Sequence, residues 1–136
     1  MAILQIGLGG RASNSLKDWS GARSTIGRQL SEVTVPVITL DDLMAASEVP
    51  PSLVKIDVEG AEIAVLRGAT NLLRDVRPRI YIEIGEDNIA AATTIFHEAG
   101  YGLYALSNGT LAPIDRCAFN TIAIPNRGTE GKASSA

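Results

Sequence analysis

The chain has 136 residues, a net charge of −3, 46% apolar residues and 20% charged ones, a balance that fits one globular domain burying about two thirds of its unfolded surface. Its twelve Lys and Arg form no basic stripe and aromatics are only 4%, which argues against a nucleic-acid partner, and no apolar run approaches the ~18 residues of a membrane span or forms a signal peptide. A single cysteine, Cys117, excludes an internal disulfide, and a single histidine, His97, argues against a His/Cys metal site, so a reducing cytoplasm is the expected setting.

Residues 2–6 read as a strand. The run from Gly7 through Gly9 and Gly10 to Ala12 fits the loose pattern G-x-G-x-x-A, so Gly7 and Gly9 are weak cofactor-binding candidates. That fingerprint requires a helix directly after the glycines and a second strand ending in an acid about 20 residues on. Residues 11–31 show no clear helical period, and no strand is expected to lead into Glu32. A strand ending in a Gly-rich turn is the preferred reading. Residues 33–38 are rich in β-branched side chains and read as a strand, with Pro36 suggesting an edge. Thr39 then caps a short helix bearing Leu40, Leu43 and Met44 on its apolar face, and Pro50-Pro51 stops it. Asp41 and Asp42 are assigned to capping and to the helix dipole rather than to catalysis.

The chain is organised around residues 53–62, Leu-Val-Lys-Ile-Asp-Val-Glu-Gly-Ala-Glu. An apolar run with spaced acids, then Gly, then helix formers predicts a central parallel strand over 53–58, covered on both faces, with acids at its carboxyl end. In open α/β sheets that end is where ligands bind. Lys55, Asp57 and Glu59 alternate, so an extended strand points all three to one side. Residues 61–76 show the helical period through Val65, Leu66, Ala69, Leu72, Leu73 and Val76. Glu62 suits the helix start, and Arg74 and Arg77 its end. Residues 80–84 supply a second strand, ending near Glu83. Residues 86–99 form a second amphipathic helix closed by Gly100. Residues 101–106 and 119–124 read as two further strands, with Asn108-Gly109 a turn signal between them. This order predicts an α/β domain over residues 1–125, the second half of a doubly wound sheet closed by antiparallel strands. Residues 126–136 are expected to be a disordered tail.

The phrase Val54-Lys55-Ile56-Asp57-Val58-Glu59-Gly60-Ala61-Glu62, followed by Val65-Leu66-Arg67-Gly68-Ala69, closely resembles the FkbM-like family of methyltransferases. Ile6-Gly7-Leu8-Gly9, Ser24-Thr25-Ile26 and the run from Val35 to Asp42 resemble the family's preceding pieces in order, and Asn120 resembles its closing Asn. The resemblance covers roughly residues 3–125. It implies a Rossmann-like class I methyltransferase fold with S-adenosylmethionine as cofactor. On this alignment the chain matches the family's latter half, and the Gly-rich cofactor loop and the ribose-binding acid are expected to be absent.

Methyl transfer is an in-line displacement, so the protein mainly positions the nucleophile and removes its proton. The resemblance places Asp57 beside the reactive methyl; its competing role is to accept backbone donors at the Gly60 turn. Glu59 is a second catalytic candidate, as base or as a ligand for substrate hydroxyls, against a role at the helix start. Lys55, able to pair with either acid, and Glu83, at the end of the next strand, are substrate-binding candidates. His97 and Cys117 are read as structural, and Trp19 and Tyr101 as core aromatics. No metal site is expected, although Asp57 with Glu59 offers oxygen ligands to Mg²⁺. The expected activity is methylation of a hydroxyl on a small molecule or saccharide. The alternative is a non-catalytic remnant acting through a partner. An open sheet edge is expected to favour self-association.

Overall fold

The computed structural model describes residues 1–7, 15–16 and 29–126. Residues 8–14 with Gly9, Trp19, the 24–26 segment and residues 127–136 lie outside the described residues. Two sheets are present among the described residues. The smaller has the order β2-β1-β3, built from β1 (Ala2–Gly7), β2 (Ser15–Leu16) and β3 (Gln29–Val35). The larger has the order β4-β5-β8-β6-β7, from β4 (Leu53–Ile56), β5 (Arg79–Glu83), β6 (Tyr101–Ser107), β7 (Thr110–Ile114) and β8 (Asn120–Pro125).

The smaller sheet corrects the reading of the first 38 residues. A strand does lead into Glu32: β3 starts at Gln29 and stops before Pro36, whose missing N–H suits a strand end on a sheet edge. It runs antiparallel to β1, with Leu4 opposite Val33 and Gln5 opposite Glu32. The dinucleotide fingerprint needs a parallel crossover instead, so β1 and β3 do not form that unit. Residues 2–6 also leave the edge of the larger sheet uncovered, because β1 is paired on both sides within its own sheet.

In the larger sheet β4 pairs in parallel with β5, Leu53 opposite Arg79 through Ile56 opposite Ile82. The segment between them contains α2 (Glu62–Arg67) and a π-helical turn, Leu72–Val76. After β5 come a 3₁₀ turn (Glu86–Asn88) and α3 (Ile89–Glu98), and then β6. β8 inserts antiparallel between β5 and β6. Three expectations for β4 fail. It is an edge strand in the described chain, and it ends at Ile56 rather than residue 58. Nor is it covered on both faces: Leu53 is 61% exposed while Ile56 is 3% exposed. Alternation with a period of two explains this, since helices cover one face only. That face carries Ile56, Ile80, Ile82, Leu103 and Ala123, packed with Leu66, Leu72, Leu73, Ala92 and Phe96 from the helices. Tyr101 belongs to this core, its ring 5.8 Å from that of Phe96. The opposite face presents Leu53, Lys55, Tyr81, Glu83 and Ile122, exposed or half-buried.

The expected helix over 61–76 is interrupted at Gly68. There α1 (Leu40–Ala45), capped by Thr39 Oγ1 accepting from Asp42 N at 3.0 Å, docks against the end of α2. A Cβ on Gly68 would lie 3.2 Å from Thr39 Cβ, a tight contact that Thr39 would have to relieve by a few tenths of an ångström. Asp41 N donates to Gly68 O at 2.9 Å, and the Asp41 carboxylate accepts from the backbone N–H groups of Asn71 and Leu72. Asp41 therefore caps the π-helical turn across 30 residues rather than its own helix. Arg77 leaves that turn in the left-handed region, φ 55°, and its guanidinium donates to Ala99 O and Gly100 O. The cation thus serves the carboxyl end of α3, where Gly100, at φ 74°, reverses the chain as expected.

The last correction concerns β7. Asn108 and Gly109, at φ 49° and 77°, form the expected turn, but it joins β6 to β7 rather than leading to the strand at 120. Pro113 inside β7 weakens its strand signature. Its place at the sheet edge tolerates the missing N–H.

Candidate functional site

Parallel pairing of β4 with β5 brings two strand ends to one rim, and the face pattern sets what stands there. Lys55 lies opposite Tyr81, Glu83 lies two residues further along β5, and Glu83 lies opposite Asn120 on β8. On this uncovered face Lys55 Nζ donates to Asp57 Oδ2 at 3.0 Å and lies 3.8 Å from Glu83 Oε1. The ammonium also stands 6.0 Å from the centre of the Tyr81 ring. The Tyr81 hydroxyl donates to Asn120 Oδ1 at 2.9 Å. Three of the four residues singled out from the sequence are therefore brought together, and Tyr81 with Asn120 extends the group along the rim.

Glu59 does not join it. The strand has ended, and Glu59 turns into the left-handed region at φ 48°, followed by Gly60 at φ 105°. Alternation places side chains on one face only while the backbone stays extended, so the expected shared side for Lys55, Asp57 and Glu59 holds only for the first two. Glu59 is exposed, and among the described residues no hydrogen bond or ion pair reaches its carboxylate. Gly7 closes β1 in the other sheet, opposite Gln29 at a register shift.

Side-chain exposures are 55% for Lys55, 41% for Asp57 and 30% for Glu83, so the group is reachable from solvent. The hydrogen bond that Lys55 donates to Asp57, and then the Asp57 and Glu83 charges, raise the Lys55 pKa above its ordinary value. Lys55 therefore stays an ammonium at neutral pH. It orients two carboxylates and is no proton acceptor. A carboxylate held from one side by an ammonium keeps its remaining lone pairs for a hydroxyl donor. Asp57 and Glu83 together carry one more negative charge than Lys55 neutralises, which suits a cationic group such as a sulfonium beside them.

The loop that follows β4 also holds a buried carboxylate, which the sequence pattern places at a helix start. Glu62 is 2% exposed, and its two oxygens accept from Gly60 N at 2.7 Å and from Asn88 Nδ2 at 2.6 Å. Nothing local marks Asn88 as its partner, since 26 residues separate them. Cys117 is buried, and burial raises its thiol pKa. His97 is exposed in the last turn of α3. Among the described residues no group of three or more His, Cys, Asp or Glu is placed to hold a metal. No helix among them is long and apolar enough to cross a membrane.

The comparisons with known proteins bear on this rim directly. The family described as methyltransferase FkbM domain matches residues 5–103, which include both strands of the rim and the turn between Asp57 and Glu62. The chain belongs to the FkbM methyltransferase family. A curated relative, the hexuronic acid methyltransferase AglP of Haloferax volcanii, is 49% identical over 45 residues. That match spans 32% of the chain and 19% of the relative's length. No solved structure matches. Within an FkbM domain, Lys55, Asp57 and Glu83 are thus a cluster of charged side chains at the edge where an α/β sheet receives its ligands.

Proposed function

We propose that this FkbM domain supports S-adenosylmethionine-dependent methylation of a hydroxyl on a small molecule or saccharide, with the β4–β5 rim as the acceptor side of the site. The observation that carries the reading is the Lys55–Asp57–Glu83 group on the open face at the carboxyl ends of two parallel strands. We assign the larger sheet to the Rossmann-like class I fold. The parallel β4–β5 pair, its helical connection and the antiparallel insertion of β8 support that assignment. The acceptor class is supported by the partial relative, named for hexuronic acid.

When bound, S-adenosylmethionine supplies an electrophilic methyl on a positively charged sulfur. Asp57 and Glu83 provide the negative charge that favours such a cation at the rim. Asp57 accepts the proton of the acceptor hydroxyl, and Lys55 holds its carboxylate in place. Glu83 and the Tyr81–Asn120 pair bind neighbouring hydroxyls. A cytoplasmic setting accords with a single buried thiol. A second reading, a non-catalytic partner-binding role, is favoured by one observation. Two hollows among the described residues lie away from the rim, one at the amino ends of β4 and β5 beside Arg77 and Arg79, the other between α2 and α3.

The test is transfer of a labelled methyl group by the purified chain to a panel of saccharides that includes hexuronic acids. Transfer that falls at least ~100-fold in Asp57→Asn, with unchanged thermal unfolding, is the expected result. Equal transfer by the parent and Asp57→Asn sinks the catalytic assignment, and no transfer to any acceptor favours the partner-binding reading.

A further inference from the structure

We propose that Glu62 is a positioning residue for the rim, and that its buried carboxylate, with Asn88, sets where Asp57 stands relative to Glu83. The inference rests on the rim being the site, but its geometry stands apart from any activity. Glu62 is the first residue of α2, 2% exposed, and among the described residues it is the buried acid. A helix-start role needs no burial, because an acid in the first turn interacts with the dipole from the surface. A buried carboxylate must instead have its oxygens satisfied, and here each is. Oε1 accepts from Gly60 N, and Oε2 accepts from Asn88 Nδ2. The same Asn88 nitrogen lies 3.1 Å from Gly60 O and donates to it. The N–H and the carbonyl of Gly60 are thereby both tied, directly or through Glu62, to the 3₁₀ turn that follows β5.

The consequence is a closed ring of hydrogen bonds joining the loop after β4 to the loop after β5. These two loops leave the strand ends that carry Asp57 and Glu83. Between Asp57 and Gly60 the backbone passes through Glu59 in the left-handed region, a conformation unfavourable for a residue with a Cβ. A loop with that bias relaxes unless it is held, and Glu62 and Asn88 hold it at Gly60. The Glu62 carboxylate is buried and spent on Gly60 and Asn88, so the pair acts through the loop that carries Asp57.

The experiment reads the geometry first and activity second. In Glu62→Gln one carboxylate oxygen becomes an NH₂ group. Whichever way the amide turns, either the Gly60 N–H or the Asn88 NH₂ loses its acceptor. Asn88→Ala, the second variant, removes the other half of the ring with less risk to folding. Leu103→Val, in the core on β6, serves as a control for general loss of stability. The first readout is the carbon NMR resonance of the Asp57 and Glu83 side-chain carboxyls at neutral pH, which reports their local surroundings, with amide exchange at Gly60. In Glu62→Gln and Asn88→Ala the Asp57 carboxyl resonance is expected to move, and Gly60 exchange to quicken at least tenfold. Leu103→Val is expected to change neither. Where the parent methylates an acceptor, kcat is expected to fall ten- to a hundredfold in both variants while KM for the methyl donor stays within twofold. An unchanged Asp57 carboxyl resonance in two folded variants overturns the proposal whether or not the chain methylates anything. So does a change of equal size in Leu103→Val. Failure of methyl transfer in the parent alone removes the functional reading and leaves the Asp57 resonance and the Gly60 exchange to decide the positioning role.

Discussion

Replacing Asp41 by alanine tests how a short helix is coupled to the segment that feeds β5. Asp41 Oδ1 accepts from Leu72 N at 2.8 Å and Oδ2 from Asn71 N at 3.0 Å. Asp41→Ala leaves both amides without that acceptor, while the Asp41 N–H to Gly68 O bond survives because it is backbone. Loss of a capping side chain costs about 1 kcal/mol, with a span of roughly 0.5–2. Two donors and an ionised acceptor place this case near the upper end, at about 2 kcal/mol. For a chain of this length that corresponds to a fall in Tm of roughly 6–8 °C. Asp41→Asn retains one acceptor oxygen and is expected to lose about half as much. Asp42→Ala is the control, since its role in the cap is a backbone N–H donated to Thr39 Oγ1; a loss of ~0.5 kcal/mol is expected there. Thermal and urea unfolding followed by circular dichroism measure all three. The reasoning is refuted if Asp41→Ala and Asp42→Ala lose equal stability, or if Asp41→Asn is as damaging as alanine.

Gly109→Ala meets open space but forces a Cβ onto φ 77°, so a loss of about 1–2 kcal/mol is expected by urea unfolding, with the end of the β6–β7 hairpin exchanging its amides faster. Cys117 is expected to resist alkylation in the native state and to react at once on unfolding, because burial raises its pKa and keeps the thiol protonated. The folded pKa lies above the unfolded one, so this contribution to stability is full below the ordinary thiol range and is lost as pH rises through the folded value; Cys117→Ala is expected to flatten that alkaline decline. The edge strand β4 exposes a row of backbone groups and Leu53, and pairing with a second copy is the proposed outcome. Sedimentation of Leu53→Lys beside the parent checks it: a lower association constant is expected, and equal values reject β4 as the contact.

The features legible along the chain are local in origin. The change of period from two to 3.6 marks β4, α2, β5 and α3, and a parallel pair joined by a helix follows from connection rules. The Thr39 cap, the Asn108-Gly109 turn and the reversal at Gly100 are each written within four residues of chain. The rim was legible for the same reason, since Lys55 and Asp57 share a face by alternation and Glu83 ends the neighbouring strand. Tertiary structure alone decided which strands pair across long separations. It placed β4 at an edge, drew β1 and β3 into an antiparallel sheet of their own, and recruited β7 despite Pro113. It broke the helix at Gly68, where α1 approaches closely, and it took Glu59 off the rim by turning the chain one residue before Gly60. The Glu62–Asn88 contact was hidden too, because a hydrogen bond across 26 residues leaves no periodic trace in either partner's neighbourhood. Burial turns that acid from a helix-end charge into a tie between loops, and burial is a property of the packed chain.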